Sequence, residues 1–211
     1  MQPRLSRREL LERCVAIGVV SSAVGLAPER LADAWALNES GSRAPTPMAE
    51  LGPFYKRLAP LTHNLRAAGD PGMPLVVTGA VFSSRGEPLP DAKLEIWQTS
   101  HGGIYDIEGY RYRARMNAGP RGEYDFSSVI PGHYPARVCQ HVHYLVTAPG
   151  HQSLTTQLYF ATDPVFEGDP DKNYVRDPLI TSRELVRPVT LVGDPQQMHA
   201  SVRFELVLEP R

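Results

Sequence analysis

Short runs of β-branched and aromatic residues, cut at close intervals by Pro, Gly and Asp, constrain the fold of this chain more than any other feature. Residues 75–82 read as a strand, and residues 83–90, with Arg85-Gly86 at their centre, as a turn. Residues 92–98 read as the returning strand, with Leu94 and Ile96 on one face. Residues 123–126, 142–147, 154–160 and 202–208 repeat the pattern. No long amphipathic helix interrupts them. Strands this short at this spacing predict an all-β chain, a β-sandwich of mixed sheets with long connecting loops. Twenty Pro and 17 Gly among 211 residues suit such a turn-rich fold. The absence of a fixed-period repeat or a second linker predicts a single domain over residues 49–211. Residues 161–187 carry Asp-Pro three times (163–164, 169–170, 177–178) and read as a long surface loop.

The first 36 residues read as an address. Arg7-Arg8 precedes a moderately apolar stretch, residues 14–27, and Ala34-Trp35-Ala36 offers a small-x-small cleavage site. The stretch is shorter than the roughly 18–20 residues that span a bilayer, so no stable membrane span is expected. The order resembles a twin-arginine signal, which carries folded proteins out to the periplasm or beyond. Residues 37–48, rich in Ser, Gly and Pro, read as a linker.

Charge excludes one class of partner. With 22 Lys+Arg against 23 Asp+Glu and no basic run, nothing predicts nucleic-acid binding. Two cysteines, Cys14 and Cys139, exclude a disulfide framework. Cys139 reads as a small buried hydrophobe.

His141-Val142-His143 opens a strand, and side chains two apart on a strand share a face, so both imidazoles can reach one point. Imidazole suits Zn, Cu, Fe or Ni without choosing among them. Tyr105, after Gly102-Gly103-Ile104, and Tyr134, after Pro131-Gly132-His133, sit at turns where glycine can swing a side chain inward. A phenol titrates near pH 10, so a tyrosinate ligand calls for a strongly Lewis-acidic ion, which ferric iron is. A zinc or ferrous site built from His141, His143 and a carboxylate such as Glu95 or Asp125 is the alternative. A non-catalytic sandwich binding small aromatic ligands is another.

The motifs and their order resemble the intradiol ring-cleavage dioxygenases, the family of catechol, hydroxyquinol and protocatechuate enzymes. They run Leu51-Gly52-Pro53-Phe54-Tyr55, Gly79-Ala80-Val81 and Ala92-Lys93-Leu94-Glu95-Ile96-Trp97-Gln98, then Gly103-Ile104-Tyr105. Gly122-Glu123-Tyr124-Asp125-Phe126, Pro131-Gly132-His133-Tyr134-Pro135, His141-Val142-His143 and Leu154-Thr155-Thr156-Gln157-Leu158-Tyr159-Phe160 complete them. The resemblance implies a β-sandwich and a non-haem Fe(III) held by Tyr105, Tyr134, His141 and His143. It implies O2 and a catechol-type small molecule as substrates, and is compatible with a homo-oligomer. Tyr134 falls where the family's displaceable tyrosinate takes a substrate proton, and Gln157 where a glutamine lies near the ligands. The family's arginine sits three residues before the first histidine, where this chain has Val138. Arg137 is one further upstream, where a local bulge would bring it to the same place. The helical dimerisation domain of some catechol enzymes finds no room ahead of Leu51, and residues 52–55 are candidates for pocket wall.

Overall fold

The computed structural model describes residues 41–135, 137–194 and 197–211. The signal-peptide reading of residues 1–36 and the first part of the linker reading lie outside the described residues. Two five-stranded sheets pack face to face, as the strand pattern predicts. In the first, β1 (Pro74–Ser83) pairs antiparallel with β4 (Glu123–Val129). Its other edge is shared by two parallel strands, β9 (His199–Arg203) and β10 (Leu206–Leu208), and β8 (Thr190–Val192) lies beyond β9. The second runs β3 (Arg113–Asn117), β2 (Lys93–Gln98), β5 (His141–Thr147), β6 (Leu154–Phe160) and β7 (Val186–Arg187), antiparallel except for the last pair.

The run 202–208, read as one strand, is two. Its register against β1 stays constant, Thr78 facing Arg203 and Val81 facing Leu206, but the ladder is interrupted between them. There the Phe204 carbonyl lies over Gly79 and accepts the Tyr124 hydroxyl at 2.6 Å. A Cβ on Gly79 would stand 2.0 Å from that oxygen, so only glycine admits the approach. β3 was hidden in the sequence because Arg113 and Arg115 disguise its alternation.

The core lies between the sheets. Val77, Val81, Tyr124 and Phe126 from the first meet Leu94, Ile96, Val142, Tyr144, Val146 and Leu158 from the second. Tyr144 is ringed by Phe204, Tyr124 and Phe126 at 5.3, 6.3 and 6.3 Å between ring centroids. The odd-numbered residues of β5 and β6 point to the other side of the second sheet. There His141 faces Tyr159 across the ladder, and His143 lies between Gln157 on β6 and Trp97 on β2.

Three segments lie over that outer face and the sheet edges beside it. Residues 41–48, read as part of a linker, are instead docked along the edges of both sheets, together with residues 49 and 50 at the start of the expected domain. Arg43, Thr46 and Ala49 donate backbone bonds to Ser84, Val207 and Thr155, and Thr156 Oγ1 donates to the Pro47 carbonyl. The backbone groups of this Pro-containing stretch find acceptors and donors on the sheets. Loop turns at 99–105 and 131–139 form the second cover. The Asp-Pro loop forms the third, and it is anchored rather than merely superficial. It holds a short helix, α1 (Pro170–Asn173), and three 3-10 turns, with Phe166, Ile180 and Leu185 buried. Among the described residues no helix is long and apolar enough to cross a membrane.

Candidate active site

Two loops that carry tyrosines are locked together by glycine. Gly132 donates its N–H to the Ser100 carbonyl at 2.8 Å, and Thr99 Oγ1 donates back to the Gly132 carbonyl at 3.0 Å. A Cβ on Gly132 would stand 2.2 Å from the His101 oxygen, and one on Gly103 1.8 Å from the His133 oxygen. The backbones therefore touch, and the glycines serve close approach as well as turn geometry. This contact brings Tyr105 and Tyr134 edge to face, 5.5 Å between centroids.

The histidines of β5 come up beneath them. Tyr105 Oη lies 3.1 Å from His143 Nε2 and 3.4 Å from His141 Nε2. His141 Nδ1 is 2.8 Å from the Cys139 carbonyl, which can only accept, so Nδ1 carries the proton and Nε2 presents a lone pair. The His143 ring is stacked parallel on Trp97 at 4.9 Å. Phe54 stacks on Tyr105 at 4.2 Å and meets Tyr134 edge-on at 6.1 Å. Gly52, at φ 70°, comes so close to His143 that a Cβ would touch its Cε1 at 3.2 Å. Of residues 52–55, the candidates for pocket wall, Gly52 and Phe54 thus lie against the site, whereas Tyr55 meets Glu95 and Trp97.

Burial sets the protonation states. It pulls His141 down to about 4, the Arg137 charge adding, and takes His143 well below its ordinary value, the charge of His141 adding. Both imidazoles are neutral at pH 7. Burial raises Tyr105 above the ordinary phenol value, with Tyr134 adding and Arg137 and Arg113 opposing, and it raises Tyr134 against the charge of Arg137. Tyr105 is 7% exposed while Tyr134 is only half-buried, so the two phenols differ in freedom to move.

A ferric ion fits this donor set. Donors bound at about 2 Å to one ion lie roughly 2.8–3.5 Å apart, and the Tyr105 oxygen stands within that range of the Nε2 atoms of both histidines. Two neutral imidazoles and two phenols that need a strong Lewis acid to ionise complete the match. The zinc or ferrous alternative loses its carboxylate. Glu95 accepts the Tyr55 hydroxyl at 3.0 Å, and the Asp125 side chain is exposed beside His63 on the first sheet. Among the described residues no three His, Cys, Asp or Glu come together to hold a metal.

Arg137, not Val138, reaches the site. Its N–H donates to the Tyr134 carbonyl at 2.9 Å, closing a four-residue turn that sends the guanidinium inward, whereas Val138 is exposed. Arg137 Nη2 donates to Tyr159 Oη at 2.8 Å and Gln157 Oε1 at 3.0 Å. Gln157 also accepts from Tyr159 and donates from Nε2 to the Glu50 carbonyl, so it orients neighbours with both ends engaged. Arg113, buried at the start of β3, donates to the Phe54 and Asp106 carbonyls and lies 5.9 Å from the Tyr105 ring centroid.

Sequence reasoning missed Arg113, Tyr159, Asp163 and Asp177. Tyr159 could have been found by parity, two residues after Gln157 on the same face. Asp163 is fully buried, accepts the Gln140 and Val165 amides, and meets His133 Nε2 at 3.0 Å. His133 thus ties the Tyr134 turn to the Asp-Pro loop.

The sequence model of the family described as "Dioxygenase" matches residues 51–210. The chain is 30% identical over 204 residues to a hydroxyquinol 1,2-dioxygenase of Corynebacterium glutamicum, covering 83% of this chain and 67% of that protein. It is 31% identical over 160 residues to catechol 1,2-dioxygenase 2 of Acinetobacter lwoffii, covering 62% and 57%. It spans about three-fifths to two-thirds of these relatives' length. Among solved structures, the dioxygenase domain of a dioxygenase carbohydrate-binding protein fusion from Streptomyces sp. SirexAA-E superposes with a TM-score of 0.66 at 33% identity. That match covers 80% of this chain and all of that one.

Proposed function

Because the chain belongs to the intradiol ring-cleaving dioxygenase family, we propose that it uses one non-haem ferric ion to insert O2 between the two hydroxyl-bearing carbons of a catechol-type aromatic. The product is a cis,cis-muconate-type diacid. The observation that carries this reading is the convergence of Tyr105 Oη on the Nε2 atoms of His141 and His143, with Tyr134 against it. These four side chains would hold the metal. When bound, the ferric ion supplies Lewis acidity sufficient to keep phenolates at neutral pH and to activate a chelated catecholate toward O2.

The chain's own residues divide the remaining work. Tyr105, buried and clasped by Phe54, stays in place. Tyr134, more exposed and on a tight turn, takes a proton from the incoming catechol at its Oη. The Arg137 guanidinium, buried beside it, offsets negative charge on the bound substrate. Phe54, stacked on Tyr105, and Trp97, stacked on His143, shield these ligands from water and hold them in place.

The test is iron analysis and visible spectroscopy of the purified protein, with product analysis on catechol, hydroxyquinol and protocatechuate. About one iron per chain, a reddish colour from tyrosinate-to-iron charge transfer and a ring-opened diacid are expected. Replacing Tyr134 with Phe should slow substrate binding most at low pH, since higher pH lets the catechol ionise unaided. A colourless protein after ferric loading, or one that opens none of the three rings, would refute the proposal.

A further inference from the structure

The Asp-Pro loop reaches the site through one carboxylate. Asp177 is 1% exposed, and its two oxygens face three groups. Oδ1 accepts the Leu179 N–H at 3.0 Å within its own loop. Oδ2 accepts the Cys139 N–H at 3.2 Å, from the segment that leads into β5, and lies 3.5 Å from Arg137 Nη2. Two amides from separate segments fix its rotamer, and the guanidinium lies against the oxygen so fixed. The Cys139 backbone is engaged on both sides, its N–H on Asp177 and its carbonyl on His141 Nδ1.

Arg137 depends on this support. Its backbone is set by a turn of one hydrogen bond, and its neutral partners, Gln157 and Tyr159, neutralise no charge. A buried guanidinium without a counter-ion carries a heavy desolvation penalty and withdraws toward water when it can. Its Nε finds no partner, which leaves the head free to rotate unless Nη2 is held.

We infer that Asp177 is a positioning residue, holding the Arg137 guanidinium against Gln157 and Tyr159 and so making the Asp-Pro loop the support of the pocket's positive wall. The kinetic part of this inference rests on the ring-cleavage reading; the structural part does not.

The experiment compares Asp177→Asn, Arg137→Met and the double variant in the full chain, with Asp171→Asn as an exposed control on the same loop. Asparagine removes the charge and keeps one of the two accepting oxygens; the amide that loses its acceptor does so in both Arg137 backgrounds, so that loss cancels in the cycle. Asp177→Asn should raise KM for catechol by about 10- to 100-fold at unchanged iron content, the size usual for a residue that orients a site group. It should have little further effect once Arg137 is Met, and Asp177→Glu should recover part of the loss. Melting temperatures of the metal-free single and double variants form a second cycle, expected to be non-additive. If no ring is opened by any form, the ring-cleavage reading fails while the melting cycle still decides the Asp177–Arg137 pair. Additive effects in the melting cycle, or an equal KM change in both backgrounds, would overturn the inference.

Discussion

The inner face of β5 carries Val142, Tyr144 and Val146, the outer face His141 and His143, and both are sealed from water by different means. Inside, the cover is a second sheet, and the contacts are rings and branched chains packed without direction. Outside, the cover is assembled from residues 49–55, 99–105, 131–139 and 161–180. Directed bonds hold it: Gly132 to Ser100, Gln157 to Glu50, and Asp163 and Asp177 to the amides of Gln140 and Cys139. A generic apolar cover tolerates repacking, whereas a polar cover loses its purpose if one partner is missing. One strand thus carries stability on one side and chemistry on the other.

The sharpest way to break this comparison is one substitution on each face. His143→Ala on the outer face should abolish stoichiometric iron binding and ring cleavage. The metal-free protein should melt within a few degrees of the parent, because the lost imidazole was buried at a desolvation cost. Phe126→Ala, opposite the inner face, should cost about 3–5 kcal/mol of stability. Its folded fraction should keep the parent KM for catechol. Denaturant titration of both metal-free proteins, beside iron analysis, tests the division. Equal destabilisation by the two changes would dissolve it.

A second test targets what joins the outer cover. In Gly132→Ala the new methyl meets the His101 carbonyl and the Gly103 nitrogen at 2.2 and 2.4 Å, backbone atoms that cannot swing away. The expected stability loss is about 1–3 kcal/mol. Iron affinity should suffer more, since the loops bearing Tyr105 and Tyr134 are forced apart. Gly150→Ala supplies the contrast. Its φ is 72° with open space around it, so it should cost about 1 kcal/mol of backbone strain and leave iron binding intact. Iron affinity unchanged in Gly132→Ala would show that the tyrosines are placed by something else.

The same contrast explains what could be read from the sequence. β2 was legible because burial against a sheet leaves a period of two, and β1 and β6 were legible as short runs of β-branched and aromatic residues. β3 was not, since Arg113 is buried by donating to carbonyls and looks like a surface residue in the sequence. The four metal-ligand candidates were legible through their motifs, which run in order along one chain. Their carboxylate supports were not. Asp163, Asp169 and Asp177 each precede a proline, yet the first and last are buried beneath the cover while Asp169 lies outside, pairing with Lys172. Nothing local distinguishes them, because which aspartate turns inward is decided by amides 23 and 38 residues away. The shift of Arg137 by one position was visible, but its remedy, the turn from Tyr134, depended on closing a loop between two tyrosine-bearing segments.

The smallest expected effect separates the two faces by pH. His141 is pulled down to about 4 and His143 lower than its ordinary value, in both cases first by burial, whereas an unfolded histidine titrates near 6.5. Between about pH 4 and 6.5 the unfolded chain binds protons that the metal-free folded chain refuses. Stability must therefore rise with pH through this window, be fully present above about 6.5, and fall away as pH drops toward 4. Each histidine can contribute a slope of up to about 1.4 kcal/mol per pH unit. The inner face has no such group, so Phe126→Leu should lower the whole curve without changing its slope. His143→Ala should flatten it by about half between pH 5 and 6, where most carboxylates have already ionised. Denaturant midpoints of the three metal-free proteins at half-unit steps measure the difference. If His143→Ala keeps the parent slope, the outer face is wetter than the packing of Gly52, Trp97 and Phe54 implies, and the division between the two faces of β5 fails at the site itself.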